Sequence, residues 1–306
     1  MLAFPDRLEA AVVRCQNPVL VGLDPRAEML PPGLLAACDT ARPDKIAAAY
    51  EQFCHEIIEV VARRVPAVKP QAAFFEELGP AGMTALAGIV RYAQGQGLMV
   101  IIDGKRNDIG STATAYAHGF LGRESPWGAD ALTVSPYLGD DSLQPFVDVA
   151  AERMAGLFVL VKTSNPGGQL IQDLAADGKP IYRHVAELVE RLAISTKGDN
   201  QYGAVGAVVG ATYPQQLAEL RSAMPHTWFL VPGFGSQGGT AADVAAAFDP
   251  QGRGAIVNNS RGIIFAHSLK PYKDRFGAAR WQEAVEAATN DMIAQLRAET
   301  PAGKLA

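Results

Sequence analysis

Residues 100–117 read VIIDGKRNDIGSTATAYA. Three apolar residues run straight into Asp103, Gly104, Lys105, Arg106, Asn107 and Asp108, and a helix-compatible stretch begins near Ile109 or Gly110. An apolar run that ends in charge and then takes helical spacing is the form of a strand buried on both faces, followed by its crossover helix. Asp103 and Lys105 stand two apart, so on an extended strand they face the same side. The same pattern recurs along the chain. Expected strands lie at 19–23, 67–70, 98–102, 131–134, 157–161, 205–209, 228–231 and 255–257. They read as continuous apolar runs, not alternating ones. Segment 44–64 carries Ile46, Tyr50, Phe53, Ile57, Val60 and Val61 near helical spacing, and 143–155, 181–194, 214–223, 241–248 and 278–298 follow the same logic. Eight strand-then-helix units predict a closed (β/α)8 barrel of the TIM type, one domain over residues 1–306, with a doubly wound open sheet as the alternative.

The composition fits such a core. Of 306 residues, 48% are hydrophobic, and 27 Lys and Arg against 32 Asp and Glu leave a formal charge of −5. A mildly acidic chain has no nucleic-acid footprint, so an anionic ligand needs a local basic site. Cys15, Cys38 and Cys54 are odd in number and widely spaced, which reads as reduced thiols in a cytoplasmic protein. The N-terminus has no basic segment leading into a long apolar run, and no membrane span is expected. The stretch 162–180, with NPGG at 165–168 and DGKP at 177–180, reads as an insertion after the fifth strand, and the chain beyond about Thr300 as a frayed tail.

Charges gather at successive strand ends. Asp24 ends the first strand in VLVGLDPR (19–26), Lys69 ends the second, and Asp103 and Lys105 end the third. Charge after a strand is ordinarily a solvated surface turn. Four charges of alternating sign at three neighbouring strand ends instead predict one pocket in which they hold one another ionised. Later come PGFGSQGG (232–239) and NNSRG (258–262), after strands seven and eight. Those two loops of a barrel often hold phosphate through backbone N–H groups, which glycine allows to approach closely. Arg261 adds a permanently charged fork, and Gln237 an amide donor. GFGSQG at 233–238 also satisfies a dinucleotide fingerprint. That fold wants an acidic residue ending the next strand, where Asn258 and Asn259 stand. His55, His118, His184, His226 and His267 form no metal motif, no serine lies in GxSxG, and no cofactor site is seen.

Taken together, these segments resemble the orotidine 5′-phosphate decarboxylases. Asp103 to Thr112 carries their Asp-x-Lys-x-x-Asp-Ile-Gly-x-Thr spacing. VGLDPR, the Lys69 strand, LVKTSNPGG, VPGFGSQGG and NNSRGI follow in the expected order over roughly residues 19–265. The length and KPQAAFFEELG resemble the longer bacterial branch. The resemblance implies conversion of orotidine 5′-phosphate to uridine 5′-phosphate and carbon dioxide, with no cofactor and no metal. It makes Lys105, Asp103, Asp108 and Lys69 catalytic. It makes Asp24, Thr112, Ser164, Pro232, Gln237, Ser260 and Arg261 substrate-binding, with Gln237 and Arg261 on the 5′-phosphate and Ser164 facing the pyrimidine. It also implies a homodimer in which Asp108 and Thr112 reach into the neighbouring subunit's site. Two other readings compete. A Mg²⁺-dependent sugar-phosphate decarboxylase or aldolase would want an acidic ligand at the mouth, whereas Glu76 and Glu77 sit off the strand end. A non-catalytic nucleotide-binding barrel would be expected to show a broken charge chain.

Overall fold

Eight strands pair in parallel: β1 (Val19–Leu23), β2 (Ala67–Pro70), β3 (Met99–Arg106), β4 (Ala131–Val134), β5 (Gly156–Lys162), β6 (Val205–Val209), β7 (Phe229–Val231) and β8 (Ala255–Asn259). They follow one another round the sheet in chain order, and β1 pairs with β8 through Val19 opposite Val257, which closes the barrel. The structure, a computed structural model, describes residues 2–36, 41–235 and 238–305. Cys38 and Gln237 lie outside the described residues. The open-sheet alternative is thereby excluded. Strands β1, β2, β4, β6, β7 and β8 are buried at every residue, because one face fills the barrel and the other meets the helices. That double burial is why the runs lack alternation.

The longer helices among the described residues are α1 (Phe4–Cys15), α2 (Pro43–Val61), α3 (Gly79–Gly95), α4 (Gly110–Phe120), α5 (Asp140–Glu152), α6 (Ile181–Ser195), α7 (Pro214–Ala223) and α8 (Trp281–Glu299). In α2 the buried stripe is Ala47, Tyr50, Phe53, Cys54, Ile57, Ile58 and Val61, the spacing of one helical face. Helix α5 starts earlier than the apolar spacing predicts. Asp140 and Asp141 occupy its first turn, where negative charge suits the helix dipole. The predicted helix at 241–248 is a single α-turn, Ala241–Val244, started by a capping box between Thr240 and Asp243 and continued as a 3-10 turn.

Two terminal features differ from the sequence reading. Helix α1 had no assignment, yet it closes the base of the barrel. The Phe4 ring meets Phe158 of β5 edge-on at 6.1 Å, and a Cβ on Gly156 would fall 2.1 Å from that ring. Arg7 pairs with buried Asp130 at 2.5 Å, just ahead of β4. The tail expected to fray is instead ordered. Pro301–Leu305 forms a 3-10 turn with Ala302 and Leu305 buried, and Lys304 donates to the carbonyl of Pro250 at 2.7 Å.

β3 has an irregular edge that matters for the site. Its register with β4 shifts between Ile102 and Arg106, and Lys105 takes the left-handed backbone conformation at φ +46°. A non-glycine residue in that conformation costs roughly 1–3 kcal/mol and persists only where its surroundings impose it.

Because Phe4 plugs the base with its whole ring, Phe4→Ala should destabilise the fold by about 3–5 kcal/mol, read as a lowered urea-unfolding midpoint.

Candidate active site

The strand registers decide which side chains meet at the mouth. Gly22 of β1 lies opposite Lys69 of β2, and Gln71 bridges to Asp103 where β2 runs out beside β3. Asp103 therefore has neighbours on both sides. Its Oδ2 accepts from Lys69 Nζ at 2.8 Å and from Gln71 Nε2 at 3.1 Å. Its Oδ1 accepts from Lys105 Nζ at 2.6 Å and from the Thr133 hydroxyl of β4 at 2.9 Å. The Lys105 backbone N–H in turn donates to Thr133 Oγ1 at 3.0 Å, which ties the left-handed residue to β4. Lys105 does share a pocket with Asp103, but through this bulge and not through plain strand alternation.

Burial sets the electrostatics. Lys69 is 4% exposed and Asp103 8%, while the Lys105 side chain is 49% exposed at the mouth. Burial by itself would raise the Asp103 pKa. Lys69 and Lys105, by charge and by hydrogen bond, overcome that and hold the carboxyl well below the usual carboxylate range. Burial likewise opposes charge on Lys69, and Asp103 and Asp24 outweigh it, leaving its pKa above the ordinary lysine value. Asp103 and Lys69 thus hold each other ionised.

A cavity of about 650 Å³ opens above it. Asp24, Lys69, Asp103, Lys105, Ser164, Pro232, Ser260 and Arg261 all line it, and no histidine does. Asp108 and Thr112 do not line it. Asp108 accepts from the N–H of Ile109 at 2.8 Å, and Thr112 faces a separate apolar groove with Tyr116, Phe120 and Trp127. Gln237, the remaining expected site residue, lies outside the described residues. On the β8 side, Ser260 can press against β1 because residue 22 is glycine: a Cβ there would sit 1.8 Å from Ser260 Oγ. The loop after β7 folds back on itself, with the N–H of Gly239 on the carbonyl of Gly233 at 3.0 Å and that of Gly235 on the carbonyl of Gly239 at 2.8 Å. Among the described residues no carboxylate pairs with Arg261, and no three His, Cys, Asp or Glu side chains gather as a metal-binding group.

Several lining residues had no role in the sequence reading. Gln71 stands two beyond Lys69, and Thr133 is a polar residue inside the apolar run ALTV. Arg26 lines the cavity as well, with its guanidinium 5.2 Å from the Phe74 ring centroid. Asp24 Oδ1 and Asn258 Oδ1 are buried acceptors with no partner among the described residues, and both side chains line the cavity. Unpaired buried acceptors are costly, which marks them as places for ligand donors.

A sequence model of the orotidine 5′-phosphate decarboxylase / HUMPS family matches residues 17–271. The chain belongs to that family. A curated orotidine 5′-phosphate decarboxylase from Rhodopirellula baltica is 59% identical over 97% of this chain and all of its own length. The one from Streptomyces coelicolor is 40% identical over 90% of this chain and 96% of its own. Among solved structures, OMP decarboxylase of Leishmania donovani superposes with a TM-score of 0.76 at 33% identity, covering 97% of this chain and 98% of that one. The family match spans the barrel from just before β1 to beyond β8, so every strand end that lines the cavity lies within it.

Asp103→Asn tests the buried ion cluster. The mutation leaves Lys69 short of a counter-charge and should cost about 3–5 kcal/mol of stability near neutral pH. The native carboxylate stabilises the fold above its unfolded pKa of about 3.9, and this contribution is lost as pH falls toward the depressed folded value. The gap between native and variant should therefore narrow below about pH 4 in urea titrations across pH.

Proposed function

We propose that this chain decarboxylates orotidine 5′-phosphate to uridine 5′-phosphate and carbon dioxide, the whole chain serving as one barrel domain. The observation that carries the reading is the Lys69–Asp103–Lys105 cluster, buried at Lys69 and Asp103 and open to the mouth at Lys105, with Arg261 on the wall of the same cavity three strands round the barrel. Family membership and close relatives bearing that name support it.

Breaking the bond between C6 and the carboxylate leaves its electron pair in the plane of the pyrimidine, where the ring cannot delocalise it. Fixed charge must then do the work. Asp103 stands beside the substrate carboxylate. Lys105 faces C6, stabilises the developing charge and donates a proton to that carbon, yielding the product; solvent returns the proton to Lys105. Four accepted hydrogen bonds keep Asp103 ionised and aimed, so the Lys105 ammonium is held in place before substrate arrives. Asp24 and Lys69 contact the ribose hydroxyls, which would satisfy the unpaired Asp24 Oδ1. Arg261, the backbone of Ser260 and Arg261, Pro232 and Gln237 form the phosphate end, and Ser164 meets the base. Binding energy from the distant phosphate is then available to exclude water around the reacting carbon.

Asp108 and Thr112 lie outside the cavity of their own chain. Both belong to the segment that follows β3 directly, and the groove lined by Thr112 is apolar. They act in the site of a second copy, which makes the working unit a homodimer.

The deciding experiment is loss of orotidine 5′-phosphate absorbance over time, with and without EDTA. Turnover insensitive to EDTA and abolished in a folded Lys105→Ala variant is the expected result. Activity that disappears with EDTA would favour the Mg²⁺-dependent relative instead. Mixing inactive Lys105→Ala and Asp108→Ala subunits should restore about a quarter of native activity, since half the dimers are hybrids with one intact site. Absence of recovery after confirmed subunit exchange would place each site within one chain.

A further inference from the structure

β5 ends at Lys162, which is fully buried. Its Nζ lies 4.8 Å from the Tyr213 ring centroid and 5.4 Å from that of Tyr182, and it pairs with Asp173. A buried ammonium needs a counter-charge. Here the counter-charge comes from the insertion that follows the strand, so the insertion is tied back to the barrel at Asp173. The residue before it makes a second tie. Gln172 Oε1 accepts from the backbone N–H of Thr163 at 3.1 Å, and Gln172 Nε2 donates to Thr163 Oγ1 at 2.7 Å. The Thr163 hydroxyl in turn donates to Asn165 Oδ1 at 2.7 Å. A side chain thus supplies the partners that Thr163 loses on leaving the sheet.

Ser164 sits between the two ends of that chain. Its carbonyl accepts from Thr212 Oγ1 at 3.3 Å, and its backbone lies so near β6 that a Cβ on Gly210 would stand 2.9 Å away. Gln172 itself lines the cavity. The turn has no spare room either. Gly168 has an ordinary φ of −58°, yet a Cβ there would stand 2.9 Å from Thr163 Oγ1 and 3.1 Å from Gln172 Oε1.

We propose that Gln172 is a positioning residue: it fixes the turn from Thr163 to Asn165, and through it the placement of Ser164 against the base of the bound nucleotide, with the Lys162–Asp173 pair anchoring the insertion that carries it. The inference rests on the reading of Ser164 as the base contact. The insertion is therefore part of the recognition wall and not a decoration on it. Its action is indirect, since Gln172 acts on Ser164 and Ser164 acts on substrate.

The test is a double-mutant cycle on kcat/KM for orotidine 5′-phosphate with Gln172→Met, Ser164→Ala and both together. Methionine keeps the length and volume of glutamine and removes both hydrogen bonds. Gln172→Met should lower kcat/KM about tenfold, the scale of two lost hydrogen bonds. Ser164→Ala should lower it at least as far, and the double variant should fall within about twofold of Ser164→Ala alone. Gly168→Ala, which disturbs the same turn by crowding, should reproduce the Gln172→Met loss and serves if that variant does not fold. Losses that simply multiply, or unimpaired Gln172→Met and Gly168→Ala beside an impaired Ser164→Ala, would overturn the proposal and leave base recognition by Ser164 standing. If Ser164→Ala matches the parent, base recognition by that residue fails and takes the positioning role with it.

Discussion

A carboxylate withdrawn from water governs this molecule. Asp103 is nearly inaccessible and still ionised, a state that isolation in a protein interior would forbid. It persists because four donors converge on two oxygens, and those donors come from three adjacent strands: Lys69 and Gln71 from the end of β2, Lys105 from β3 itself, Thr133 from β4. No single segment of chain brings them together. The parallel register does, and the bulge in β3 turns Lys105 back over the carboxylate it would otherwise pass. Backbone strain at one residue is thus held in place by a hydrogen bond to the neighbouring strand.

Much of the fold could be read directly, for a definite reason. Strands buried on both faces must be apolar throughout, so the runs around Val19, Ala131 and Val205 announce themselves with near-correct limits. Charges at the ends of such runs stand out against them, and Asp24, Lys69, Asp103 and Lys105 were visible on those grounds. The route by which Lys105 reaches Asp103 was not. Alternation along a strand assumes regular backbone, and nothing in DGKR specifies a left-handed residue. Gln71 and Thr133 were hidden differently. An uncharged polar side chain in a β-rich run is common, and only the register shows that each points at the same carboxylate. Helix α1 escaped notice because its partner, Gly156, is distinguished by what it lacks; the space it leaves is filled by a ring more than a hundred residues away.

The cavity has two chemically distinct ends, and the barrel keeps them apart. Charge of both signs gathers at β1 to β3, where Asp103 is paired on both oxygens, with Lys69 and with Lys105. Arg261 beyond β8 is exposed and without a carboxylate partner among the described residues, so it is ready for an external anion. An overall negative chain can therefore hold an anionic ligand without a basic surface, since the attraction is local.

The pairing of β1 with β8 joins two strands that stand near opposite ends of the chain. During synthesis the lysines and aspartates of the first three strands emerge long before the strand that closes the barrel beside them. Until β8 docks against Gly22, the open edge of the sheet admits solvent to groups that the finished barrel keeps dry. Closure of so distant a contact is slow relative to local folding. The cavity wall that faces these charges is therefore complete only when the two ends of the barrel meet, and a chain lacking its last quarter carries the charge cluster without the strand that leads to Arg261 beside it.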